Sequence, residues 1–83
     1  MEFTGHAKSK LEIYGVPESE ALNESERPIE EFYDTKEGAH IKIIQWQKIV
    51  FVLVCDESRK KIITIYRTDH KTILNRQKVK RWI

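Results

Sequence analysis

The spacing of apolar positions changes once along this chain, at Pro28, from a helical to an alternating pattern. Within Gly5 to Tyr14, Ala7, Leu11 and Tyr14 recur at i, i+4 and i+7, which predicts a short amphipathic helix capped by Thr4 and stopped at Gly15. A second helix is expected after Pro17, with Glu18 and Glu20 at its positive end and Ala21 and Leu22 facing inward. Glu24 to Arg27 reads as a polar break, and Pro28 bars a continuing helix.

Beyond Pro28 the period is that of strands. Ile29, Phe32 and Tyr33 mark a first strand, Thr35 to Gly38 a turn, and Ala39 to Trp46 a second strand with Ile41 and Ile43 on one face. Gln47 and Lys48 close a tight hairpin without the usual Asn-Gly pair. Ile49 to Cys55 is apolar on both faces and so is expected to be a central strand. After a charged turn from Asp56 to Lys60, Ile62 to Arg67 forms a fourth strand, with Ile63, Ile65 and Arg67 expected on one face and Ile62, Thr64 and Tyr66 on the other. The region 70–83 is a basic tail with a poor apolar stripe, read as a short helix or partial order, with Trp82 and Ile83 either docking back on the sheet or meeting a partner.

Helices before strands, rather than alternating with them, predict an α+β domain over residues 1–83: two short N-terminal helices packed on one face of a four-stranded antiparallel sheet. At 83 residues the chain holds one thin core. The longest apolar run is far shorter than the roughly 20 residues of a membrane helix, and no signal-peptide core is seen, so a cytoplasmic protein without membrane association is expected. Cys55 is a lone cysteine inside the third strand and reads as a buried, inert thiol.

Charge is unevenly divided. Met1 to Glu37 carries ten acids against four bases, whereas Gly38 to Ile83 carries eleven bases against three acids. This division suits an anionic partner for the second half and equally suits attraction between the halves.

Metal chemistry is disfavoured because His6, His40 and His70 are scattered and one cysteine supplies no thiolate cluster; no cofactor is expected. Neither a phosphate-cradling glycine loop nor a nucleophile elbow is present. What remains is His6 at the start of a helix, with Tyr66, Arg67, Thr68, Asp69 and His70 at the end of the last strand. Metal-independent RNA cleavage requires a base for the 2′-hydroxyl, an acid for the leaving oxygen and a cation for the phosphorane. His6, Arg67 and Tyr66 are the candidates for those roles, with Lys8, Lys10, Thr68, His70, Lys71 and Arg76 as candidate RNA contacts.

Phe3 to Ala7, the helix ending Tyr14-Gly15-Val16, Pro28 to Asp34 and the closing strand Ile63-Thr64-Ile65-Tyr66 together resemble the DUF4258 family over about residues 3 to 69. The resemblance implies a RelE-like or barnase-like α+β fold, a group with many bacterial and phage ribonuclease toxins. By extension it implies an RNA substrate and a protein antitoxin or host factor as partner. Lys8 and Lys10 stand where the family carries arginines; lysine neutralises phosphate without the bidentate fork. A non-catalytic interaction module using the sheet edge and the basic tail is the rival reading, plain salt-sensitive nucleic-acid binding by the basic half a third, and exposed edges leave a homodimer open.

Overall fold

The computed structural model describes Met1 to Ile83. Its elements run β1 (Glu2–Phe3), α1 (Gly5–Tyr14), α2 (Glu18–Glu26), β2 (Glu30–Asp34), β3 (Ala39–Trp46), β4 (Ile49–Cys55), β5 (Lys61–Thr68) and α3 (His70–Lys78). One five-stranded sheet has the order β1-β5-β4-β3-β2. The four long strands form the expected antiparallel meander, and β1 adds to the outer edge of β5 in parallel, making the sheet mixed. A two-residue strand carries no readable period, so β1 is fixed by its partner: Glu2 N–H donates to the Lys60 carbonyl at 2.9 Å and Thr4 N–H to that of Ile62 at 3.0 Å.

The expectation of helices on one face only is corrected: the sheet is covered on both. On one side α1 and α2 bury Ala7, Leu11 and Ala21 against Ile44, Phe51, Leu53, Ile62 and Ile65. Thr4 does two jobs there, capping α1 by accepting from Ala7 N–H at 3.2 Å and donating to the Ile63 carbonyl at 2.9 Å, which ties the helix start to β5. Gly15 ends α1 in the left-handed region at φ 71°, and Tyr14 meets Phe51 edge to face. α2 runs through the stretch expected to be a break, because Lys42 Nζ donates to the Ser25 carbonyl at 2.7 Å and satisfies its C-terminal end. Pro17 sits at the N-cap of α2.

On the other side Phe32, Ile41, Ile43, Val52, Ile73 and Trp82 form the second core. The tail is thus an ordered third helix followed by a docked strap. Asp69 caps α3 by accepting from Thr72 N–H at 2.7 Å. Lys80, at φ 61°, ends it in a Schellman arrangement, with its N–H donated to Gln77 and that of Arg81 to Arg76. The strap then pairs with β2: Tyr33 and Ile83 exchange backbone bonds of 2.9 and 3.0 Å, and Thr35 N–H donates to Arg81 at 2.8 Å. Asp34, 3% exposed, accepts from the Trp82 indole at 3.0 Å, from Arg81 Nε at 3.2 Å and from the backbone N–H groups of Lys36 and Glu37 at 2.9 Å each.

The expected alternation in the last strand also needs correcting. Val54 pairs with Thr64 but Cys55 with Ile62, so Ile63 is an extra residue in a β-bulge. Ile62 and Ile65 consequently share the α1 face, and Ile63 turns outward.

Burial alone would raise the Asp34 carboxyl; the bonds from Glu37, Trp82 and Lys36 and the Arg81 charge outweigh it and hold the group below its ordinary 3.8. A carboxyl depressed in the folded state contributes stability above its unfolded value and loses it as pH falls through the folded one, so unfolding free energy should drop as pH goes below about 4. Trp82→Phe keeps the ring and deletes the indole N–H; it should cost about 1–3 kcal/mol in urea unfolding and flatten that acid dependence.

Candidate functional site

α1 packs on β5 and α2 lies over the Trp46 half of β3, where Trp46 Nε1 donates to Glu20 at 3.1 Å. The other half of β3, from Ala39 to Ile41, and the adjoining part of β2 lie beyond both helices. A solvent-open cleft of about 340 Å³ results there, lined by Glu31, Phe32, Tyr33, His40, Glu57, Arg59 and Ile83. Sheet geometry sets its polar groups. Tyr33 is directly across from His40 and Glu31 is two residues back on the same face, so the Glu31 carboxylate reaches His40 Nε2 at 2.9 Å.

The turn from Asp56 to Lys60 supplies the facing wall. Asp56 organises it, accepting from Lys60 N–H at 2.8 Å, Lys61 N–H at 3.0 Å and the Ser58 hydroxyl at 2.7 Å. The bond from Ser58, then those from the backbone, hold the Asp56 carboxyl below its ordinary value. Arg59 takes φ 61°, an uncommon conformation for a side chain of this size, which places the residue on the cleft wall. Glu57 Oε1 accepts from the Tyr33 hydroxyl at 3.2 Å. Gly38, at φ 66°, closes the adjacent turn: a Cβ there would lie 3.6 Å from both groups of that pair.

Electrostatics divide the groups into roles. The bond to His40 lowers the Glu31 carboxyl against a modest desolvation, assisted by His40, Lys42 and Arg59. Glu31 therefore stays a carboxylate and fixes the orientation of the imidazole through Nε2. The bond to Glu57 raises the Tyr33 phenol, with burial adding to it, so Tyr33 remains a donor that fixes the Glu57 carboxylate. Cys55, across from His40 on β4, is buried as expected, its thiol pushed up to about 11 chiefly by desolvation.

The residues singled out in the sequence are distributed differently. His6, Lys8 and Lys10 lie on α1, whose first turn is tied to Ile63 while its last turn stands over Phe51, the partner of Arg67. From Ile63 to Arg67 is about 13 Å of strand, so His6 and Arg67 belong to opposite ends of α1. Tyr66 and Thr68 point to the α3 side of the sheet, where Tyr66 packs on the second core and Arg76 stacks over Trp82. His70 and Lys71 are exposed in the first turn of α3. The structure thus brings Tyr66 and Arg76 together and leaves His6 and Arg67 apart from them.

The cleft residues were missed because their signal is one of register. Glu31, Tyr33, His40, Glu57 and Arg59 form no motif in sequence, and only pairing of β2 with β3 and the length of the Asp56–Lys60 turn assemble them. No three carboxylate, imidazole or thiol groups gather as a metal site. Nor is any helix long and apolar enough to cross a membrane. Comparison with family models, curated proteins and solved structures gives no match to this chain.

Arg59→Gly tests whether its conformation is kept for function. Glycine takes positive φ without steric cost, so stability in urea unfolding should be unchanged or raised by up to about 1 kcal/mol if the side chain itself does not hold the turn, and a loss would show that it does.

Proposed function

We propose that this chain acts on RNA, cleaving its backbone without a metal ion, and that the cleft between β2, β3 and the Asp56–Lys60 turn is where it does so. The observation that carries this reading is the grouping around one solvent-open cleft of a carboxylate, a carboxylate-backed imidazole and a guanidinium: Glu57, His40 with Glu31, and Arg59. Glu57, fixed by Tyr33, takes the proton of the 2′-hydroxyl. The O2′–P bond forms as the P–O5′ bond breaks, and the leaving O5′ takes a proton from His40, whose ring Glu31 orients. Arg59 neutralises the charge that grows on the phosphorane oxygens. The products are a 2′,3′-cyclic phosphate and a free 5′-hydroxyl, and water returns the proton from Glu57 to His40.

The resemblance to DUF4258 proteins supports the same substrate class, whereas the position of His6 at the start of α1 had suggested that residue as the base. The experiment separates the two placements. Mixed RNA in low salt with excess chelator should be cut to cyclic-phosphate ends, and His40→Ala or Glu57→Gln should each slow this by about 10²–10⁴. His6→Ala should leave the rate unchanged. Cleavage that survives His40→Ala but vanishes with His6→Ala would move the chemistry to α1, and intact RNA under every condition would refute cleavage.

One observation favours a second reading, an interaction module. β1 pairs only with Lys61 and Ile62, so Thr64 to Thr68 of β5 form an open strand edge to which a protein partner can add a strand. The basic tail contributes less than expected to such a surface, because the strap already occupies the β2 edge.

A further inference from the structure

Of the bases in α3, Arg76 alone is withdrawn from full exposure; Lys71 and Lys78 stand in solvent. Its guanidinium carbon lies 5.6 Å from the centre of the Trp82 ring, and its Nε is buried with no hydrogen-bond partner. No carboxylate comes within 4.0 Å of it: the ion pairs of the chain use Lys8, His40 and Arg81. The nearby carboxylate on this side of the sheet is Asp34, and it is already saturated. Its two oxygens accept from Lys36, Glu37, Arg81 and Trp82, which fills the roughly four lone-pair positions a carboxylate offers.

A guanidinium partly removed from water without a counter-ion is costly, and stacking on an indole recovers only part of that cost. Tyr66 lies against the same group. Burial raises its phenol above the ordinary 10.0, aided by the Asp34 charge and opposed by those of Arg76 and Arg81, so the hydroxyl stays protonated. The charges facing this spot are thus Arg76, Arg81 and Asp34, with Asp34 committed elsewhere.

We infer that Arg76, stacked on Trp82 and flanked by the Tyr66 hydroxyl, is a binding site for a phosphate oxyanion on the face of the sheet opposite the cleft. The guanidinium presents a planar fork to two phosphate oxygens, and the phenol donates to a third or to a bridging position. A single phosphate group has two sources: the backbone of a nucleic acid, or a free phosphate or small phosphorylated molecule. The site does not depend on cleavage in the cleft.

The test follows the Arg76 Nε–H resonance of the full chain while inorganic phosphate is added, with chloride at matched ionic strength as the reference. A saturable shift with phosphate and none with chloride is expected. Tyr66→Phe, which keeps the packing ring, should weaken phosphate by about fivefold. Trp82 fluorescence should respond to phosphate in the native chain and not in Arg76→Gln, whereas Arg67→Gln should respond as the native chain does. Equal responses to phosphate and chloride, or phosphate binding that persists undiminished in both Tyr66→Phe and Arg76→Gln, would overturn the proposal. An oligouridylate that displaces phosphate and tightens with length identifies a nucleic-acid backbone as the ligand; one that does not displace it identifies the small phosphorylated species.

Discussion

The fold depends on a single buried carboxylate. Asp34 sits at the end of β2, and through one side chain it closes the following turn, by way of Lys36 and Glu37, and pins the strap, by way of Arg81 and Trp82. A buried charge is tolerable only when every lone pair has a donor, and here the donors come from segments 47 or 48 residues away as well as from the adjacent turn. Without that anchor, Trp82 has no partner for its indole N–H and the strap loses its side-chain tie to β2, keeping only its backbone bonds. The same pairing covers the outer edge of β2, which would otherwise present unpaired backbone groups. One residue thus supports a turn, a strap and a sheet edge.

The parts legible in the sequence are those specified locally. Thr4 and Gly15 bound α1 because cap chemistry is written in the capping residues themselves, and β4 announces itself by an unbroken apolar run. The parts that were not legible are specified by distant partners. α3 ends on Lys80 rather than glycine, so its Schellman cap leaves no compositional mark. Its apolar stripe is poor because Ile73 alone is buried and the rest of the second core comes from Trp82 and the sheet. Helix α2 outruns its expected end because Lys42, on β3, satisfies it. The bulge at Ile63 rotates Ile62 onto the α1 face, which no reading of alternation within β5 anticipates.

The same distinction explains the cleft. Function was sought where reactive side chains were neighbours in sequence, at the end of β5, yet alternation in a strand sends such neighbours to opposite faces: Tyr66 to the α3 side and Arg67 to the α1 side. Residues that share a face are two apart on one strand or directly across on the next. Glu31, Tyr33 and His40 satisfy that rule, and Glu57 and Arg59 join them because their turn links β4, the neighbour of β3, to β5.

The two polar constellations lie on opposite faces of the sheet, and the layers treat them differently. On the α1 and α2 face the helices are short and sit over β5 and the Trp46 end of β3, so the cleft forms at the other end, where a buried His40 is held by a Glu31 carboxylate that reaches solvent. On the other face one helix and a strap cover the core, and the polar groups are drawn beneath them. Pairing there is governed by the supply of carboxylates, since the C-terminal half has three acids for eleven bases. Asp34, contributed by the acidic half, settles Arg81 but not Arg76. The charge asymmetry of the sequence therefore has a structural consequence: on this face the acidic half engages Arg81, through Asp34 and Glu37, and leaves Arg76 stacked on Trp82 without a carboxylate.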